Sequence, residues 1–216
     1  MDSPALIRLT PSQQLRAGRL GRRLPQLFGG LVLYGISMGF IVRGALGLDP
    51  WDVFHQGLIR HLPISFGTIT VIVGIAVLLL WIPLRQMPGL GTIANALVIG
   101  PVVDLALWLL PQPQGIPVRV AMLIGGIVLN GLAGGLYIGA QLGPGPRDGL
   151  MTGLAARTGR SIRIIRTSIE ITVLIIGFAL GGGLGIGTLL YALTIGPLVQ
   201  FFLRHLTVRL SAPPDR

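Results

Sequence analysis

Long apolar runs separated by short polar turns dominate the chain. They fall at about 25–42, 64–84, 91–110, 118–140, 167–183 and 185–203. None alternates apolar and polar residues with the period of a half-buried strand. About 20 apolar residues rising 1.5 Å each match the hydrocarbon core of a bilayer, so each run predicts a membrane-crossing helix. The expected fold class is all-α, a polytopic membrane helix bundle with six transmembrane helices. Two stretches depart from the pattern, at 46–58 and 142–154. Each reads as a helix of about 13 residues, roughly 20 Å long, too short and too polar to cross.

Composition narrows the classes. The chain is 51% hydrophobic and 11% charged, with a mean hydropathy of +0.78. Soluble domains carry about 25% charged residues, which excludes an ordinary soluble enzyme. There is no cysteine, so disulfide frameworks, thiolate metal sites and cysteine nucleophiles are excluded as well.

All 17 basic residues are arginine, and the net charge is +10. With a cytoplasmic N-terminus, fourteen arginines face inward: Arg8, Arg16, Arg19, Arg22, Arg23, Arg85, Arg147, Arg157, Arg160, Arg163, Arg166, Arg204, Arg209 and Arg216. Only Arg43, Arg60 and Arg119 face outward. The positive-inside rule therefore makes residues 1–24 and 206–216 cytoplasmic tails. The positive charge is topological, and no segment outside the membrane is long enough to fold as a nucleic-acid reader. The first run has no convincing small-residue cleavage site, so it is expected to stay as a helix rather than leave as a signal peptide.

A shift of 96 residues lays the chain on itself without a gap. Gly29-Gly30, Gly35, Gly39, Leu46-Gly47, Pro50, Asp52, Gly91-Thr92 and Gly100-Pro101 meet Gly125-Gly126, Gly131, Gly135, Leu142-Gly143, Pro146, Asp148, Gly187-Thr188 and Gly196-Pro197. Apolar composition alone does not align glycine, proline and aspartate at one fixed offset. The reading is two repeats, 25–110 and 118–205, of three helices each. An odd number of spans per repeat inverts the second copy. Transporters are often built this way, with the ligand site near the midplane where the repeats meet.

Each repeat carries two candidate elements. Asp49 or Gly145 suits a helix N-cap, and Pro50 or Pro146 the first helical position. Asp52 and Asp148 then fall where a carboxylate can meet free N–H groups and the positive helix end. The short helix is either interfacial, merely capped by its aspartate, or re-entrant, with its start facing a polar site. Trp51 reads as an interface anchor, and Arg147, its counterpart, as an inner-face charge or a ligand for an anion. The second element is the pair of helix breaks Gly100-Pro101 and Gly196-Pro197, each about ten residues into a span. Asn95 and Asp104 accompany the first break, Tyr191 and Gln200 the second. Asp104 is the deepest carboxylate. It either carries a coupling proton or cation, or pairs with Arg43 or Arg119. Glu170 is explained by an i,i+4 pair with Arg166, and Asn130, opposite Tyr34 in the repeat, by a bridge between helices. The expected substrate-binding set is therefore Asp104, Gln200, Asn95, Tyr191, Asp52, Asp148 and Arg147. No catalytic residue, metal-ligand cluster or cofactor motif is expected. Gly35-Ile36-Ser37-Met38-Gly39 spells a hydrolase elbow but lies mid-span, and His55, His61 and His205 lie outside the spans or at helix ends. Its glycines read better as small-residue helix packing.

Leu46-Gly47-x-x-Pro50-Trp51-Asp52, its echo from Gly143 to Met151, and Gly187-Thr188…Gly196-Pro197 resemble the YczE group of bacterial integral membrane proteins, akin to the YitT family. The resemblance covers about 25–205. Unlike longer YitT-type members, the chain is expected to carry no soluble domain after its last span. The resemblance implies a multi-pass protein of the bacterial cytoplasmic (inner) membrane and supplies no catalytic residues. The expected function is a small secondary transporter or permease, with the lipid bilayer and an unknown small-molecule substrate as partners and a homodimer left open. The alternatives are a substrate-binding membrane subunit of an energy-coupling importer, which needs an ATPase partner, and a non-transporting scaffold or regulator. An enzyme is not expected, because no nucleophile–base pair is visible.

Overall fold

A computed structural model describes residues 9–210. The outer parts of both expected tails, with Arg8 and Arg216, lie outside the described residues. The described chain is all helical, with elements α1 (Pro11–Arg16), α2 (Leu20–Gly44), α3 (Pro50–Ile59), α4 (Phe66–Leu79), α5 (Trp81–Leu84), α6 (Leu90–Leu109), α7 (Ile116–Gly139), α8 (Pro146–Thr158), α9 (Ile162–Ala179) and α10 (Ile186–Leu206). Five stretches among the described residues are long and apolar enough to cross a membrane: α2, α4 with α5, α6, α7 and α10. The remaining expected span, 167–183, differs. Its helix, α9, starts earlier, at Ile162, and so takes in Arg163 and Arg166 as well as Glu170. Large apolar side chains such as Leu79, Trp108, Ile175, Leu193 and Phe201 stand exposed on the outside of the bundle. A surface of that kind suits hydrocarbon rather than water as solvent.

The antiparallel helices α2 and α7 form the centre of the bundle, with α6 packed on α2 and α10 on α7. Small residues make these seams. A Cβ on Gly30 would lie 2.8 Å from the Tyr137 amide, and one on Gly126 would lie 3.1 Å from the Ser37 carbonyl. Gly35 and Gly39 face Val102 and Ala106 of α6, while Gly131 and Gly135 face Leu198 and Phe202 of α10. The hydrolase-like motif is thus a packing stripe. Pro101 and Pro197 sit inside helices that continue through them. The expected breaks are therefore not breaks: each proline removes one N–H without ending its helix.

The basic N-terminal segment is less of a tail than its charge suggests. Helix α2 already includes Arg22 and Arg23, and Arg23 is fully buried. Its guanidinium donates to the carbonyls of Ala140 at 2.8 Å, Gln141 at 2.7 Å, Gln14 at 2.6 Å and Gly18 at 3.2 Å. Arg119, 96 residues on, donates in the same way to Gly44 at 2.8 Å and to Ala45. Each arginine satisfies the free carbonyls that end the opposing central helix, where the negative end of the helix dipole favours a cation. The connecting loops pair reciprocally too. The Gly91 amide donates to Leu142 O at 2.7 Å, and the Gly187 amide to Leu46 O at 2.8 Å.

Candidate functional site

Two short helices begin in the interior of this bundle. Asp49 ends an extended stretch (φ −65°, ψ 161°), and its carboxylate accepts from the amides of Trp51 at 2.9 Å and Asp52 at 3.1 Å. Pro50 follows as the first helical residue, where its missing N–H costs nothing. Gly145 adopts nearly the same backbone (φ −63°, ψ 159°) ahead of Pro146, but it has no side chain with which to cap α8. The two helix starts meet. The Arg147 guanidinium lies 4.8 Å over the Trp51 ring, and Nη1 is 3.9 Å from Asp49 Oδ1.

A cavity of about 120 Å³ opens where they meet. A second, of about 210 Å³, shares Tyr34, Tyr137, Asp148, Arg166 and Tyr191 with it. All three tyrosines of the chain thus stand on the wall, contributed by α2, α7 and α10. The Tyr137 hydroxyl donates to Asp148 Oδ2 at 3.0 Å. The Tyr191 hydroxyl donates to Asn130 Oδ1 at 2.9 Å, and Asn130 Nδ2 donates onward to Ser37 Oγ at 2.8 Å. Arg166 Nε and Glu170 Oε1 form a 2.8 Å pair at the α9 side. Burial and the neighbouring Asp52 together push the Asp49 carboxyl up to about 7, against the opposing pull of Arg147.

Behind the wall, Asp52 Oδ1 and His55 Nδ1 lie 3.2 Å apart, both side chains fully buried. Thr70 Oγ1 lies 3.4 Å from the same nitrogen. Burial drives both groups toward their neutral forms, raising Asp52 and lowering His55 to about 3. Their remaining polar atoms, Asp52 Oδ2 and His55 Nε2, have no partner in the protein.

The expected site residues separate into two groups. Asn95, Tyr191, Asp148 and Arg147 line the first cavity, while Gln200 and Gly196 line the second. Asp104 lines neither. It accepts from Ser65 Oγ and from the Gly67 amide at 2.7 Å, satisfying the start of α4 from the side of α6. The alternative ion pair with Arg43 or Arg119 is also absent, since both arginines are engaged on backbone carbonyls. Gly100 belongs to the α4–α6 seam, where a Cβ would overlap the Gly67 carbonyl, whereas Pro101 is exposed. Neither expected aspartate meets its own helix amides; Asp49 fills that role in α3, Asp52 turns to His55, and Asp148 turns to Tyr137. Sequence reasoning passed over Tyr34 and Tyr137 and assigned Trp51 to the membrane interface, although it is 6% exposed and packed under Arg147. The position of Trp51 opposite Arg147 in the repeat was the one available signal.

Polar side chains gathered inside a bundle whose outer face is apolar define a multi-pass membrane protein. The chain belongs to the DUF6198 family, a family of unknown function, which it matches over residues 21–204. It is 41% identical to an uncharacterized protein of Haemophilus influenzae over 173 residues, 80% of this chain and 79% of that one. It is 33% identical to the uncharacterized membrane protein YczE of Bacillus subtilis over 179 residues, 82% of this chain and 83% of that one. A second Bacillus subtilis protein, the uncharacterized YyaS, is 25% identical over 178 residues. No solved structure matches the chain.

Proposed function

We propose that the protein is a small secondary transporter or permease, built from two inverted three-helix repeats, with α9 as its sixth crossing. The observation that carries the reading is the polar cavity between the two short helix starts, lined by side chains from both repeats inside an apolar bundle. Transporter sites are characteristically found at such repeat interfaces, at the starts of discontinuous helices. Contacts that recur 96 residues apart support the repeat: Arg23 with Arg119, and the amides of Gly91 and Gly187 on opposite loops. In this reading α3 and α8 are re-entrant. Their far ends reach opposite loop clusters, His61 of one against Leu180 and Arg157 of the other against Pro83. Both termini are cytoplasmic, as the arginine distribution demands. The protein acts as a carrier and not as an enzyme.

The natural absence of cysteine makes topology directly testable. Single cysteines replacing Arg60 and Arg157 are expected to label from opposite sides of the membrane. Labelling of both from one side removes the inversion. Purified protein in proteoliposomes is then expected to move at least one solute from a panel of small metabolites down an imposed gradient. A folded, correctly inserted protein that moves none of them counts against transport.

A further inference from the structure

Several donors around the cavity have no partner among the described residues. The carboxylates on its wall are each engaged through one oxygen. Asp49 holds two α3 amides, Asp148 the Tyr137 hydroxyl, and Glu170 the Arg166 guanidinium. The donors are not. The Arg147 guanidinium makes no hydrogen bond among the described residues; it approaches Asp49 at 3.9 Å and stacks over Trp51. The Trp51 indole N–H, in a cavity-lining residue that is 6% exposed, has no partner. The amides of Arg147 and Asp148, at the uncapped start of the 13-residue helix α8, have none either. Buried donors are rarely left without an acceptor.

The other half of the molecule indicates what such an acceptor looks like. Positions 51 and 52 correspond to 147 and 148 in the 96-residue register, and at 51 and 52 the two amides hold the carboxylate of Asp49. At 145 a glycine stands in place of that aspartate and lines the cavity, where a Cβ would lie 3.3 Å from Asp148 Oδ2, 3.4 Å from the Tyr137 hydroxyl and 3.5 Å from Asn95 Nδ2.

We propose that the cavity binds a small organic carboxylate, held by the free amides at the start of α8 and by Arg147. This deepens the reading of the cavity as a solute site and rests on it. The ligand's carboxylate takes the place that Asp49 fills in the first half. A volume of about 120 Å³ limits the ligand to a few heavy atoms beyond that group.

The test uses the purified full-length protein in detergent, with sodium acetate, propionate and succinate as probes. Acetamide and sodium chloride are the controls. At about ten times its Kd, a bound carboxylate is expected to raise Tm by about 3–5 °C, while neither control does. Arg147→Gln is expected to weaken binding by about tenfold or more. Gly145→Asp supplies an internal carboxylate on a backbone that already suits one. It is expected to abolish the carboxylate-induced shift. Should Arg147→Gln fail to fold, Gly145→Asp decides. No shift with any of the three carboxylates overturns the proposal. So does an equal shift from chloride, or a full shift that persists in Gly145→Asp. Carboxylate binding without flux in proteoliposomes removes the transport reading and leaves this one standing. Flux of a solute without a carboxylate, with no carboxylate-induced shift, does the reverse.

Discussion

The seam between α4 and α6 is closed, whereas its counterpart between α9 and α10 is not. On α4, Gly67 and Gly74 face α6, and Thr70 between them turns its hydroxyl to His55 of α3; 96 residues on, α9 carries Arg163, Arg166 and Glu170. Glycine lets two backbones touch, and a Cβ on Gly67 would overlap the Gly100 carbonyl. Charged side chains prevent the same approach. A Cβ on Gly196, the counterpart of Gly100, would meet nothing within 4 Å. Helix α4 packs extensively on α6, while α9 has no comparable seam with α10. The cavities extend into that gap, with Arg166, Glu170 and Gln200 on their walls. Gly67 and Gly74 thus accompany a packed seam, while the charged residues of α9 accompany a polar cleft.

The sharpest test sets Gly100→Ala against Gly196→Ala. The first forces a methyl group into the Gly67 backbone, which cannot give way as a flexible side chain would. It is expected to cost about 3 kcal/mol, near the upper end for overpacking. The second fills empty space in a helix and is expected to be neutral or slightly stabilising, within about 0.5 kcal/mol. Tm in detergent and the yield of monodisperse protein read both. Equal losses from the two variants would mean that the cleft is as tightly packed as the seam.

The next test compares the two helix-end clamps. Arg23→Ala leaves four carbonyls without their cation and is expected to cost about 2–3 kcal/mol, as lost hydrogen bonds to a charged group. Arg119→Ala leaves two carbonyls at a more exposed position and is expected to cost about 1 kcal/mol less. The same thermal measurement ranks them, and reversal of the order would overturn the account of Arg23 as a buried clamp.

Much of this plan was legible in the residues. Five of the six expected runs lie in helices long and apolar enough to cross; run length signals them because a bilayer imposes about 20 apolar residues on any crossing helix. The caps and prolines at both short helix starts were readable from local chemistry at Asp49-Pro50 and Gly145-Pro146. The partners of each polar group were not. Asp104 looked functional because depth was counted along one helix; it instead satisfies Ser65 and Gly67 on the neighbouring α4. Tyr34 and Tyr137 look like ordinary membrane aromatics until the packing of α2 against α7 brings their rings within 6.1 Å beside Asp148. Arg23 looked like one topological charge among five, because a pattern of signs does not reveal which arginine turns inward.

A third test sharpens the contrast between a filled and an open helix start. Asp49 is pushed up to about 7 by burial and by Asp52, against the pull of Arg147. The charged groups and tyrosines around it come from every side: Asp52 and His55 on α3, Arg147 and Asp148 on α8, Arg166 and Glu170 on α9, Tyr34 on α2 and Tyr191 on α10. Protonating Asp49 removes the carboxylate charge that approaches Arg147 at 3.9 Å and competes with a ligand for it. A bound carboxylate therefore favours protonated Asp49, and proton uptake accompanies binding. Affinity is expected to be highest below pH 7 and to fall as pH rises through and beyond it, by at most about tenfold per unit. Asp49→Asn is expected to flatten that profile while keeping the low-pH affinity. A steep profile retained in Asp49→Asn would assign the proton to another group, such as Asp148.

The smallest effect is expected from Glu170→Gln. Glu170 makes a well-formed contact with Arg166, yet their side chains are 31% and 52% exposed and the pair spans a single helical turn. Such i,i+4 pairs contribute about 0.3–0.5 kcal/mol in water, so Tm should barely move in detergent. The informative readout is binding. If the cleft between α9 and α10 is the way into the cavity, neutralising Glu170 frees Arg166 as a cation at the entrance. Association of a carboxylate should then speed up at low ionic strength, and the advantage should vanish in high salt, because steering by exposed charge is screened within about 10 Å at 0.1 M. Dissociation should stay unchanged, since Glu170 is not among the groups proposed to hold the ligand. A slower association rate in Glu170→Gln would point to entry by another route and leave the open seam without a role in access.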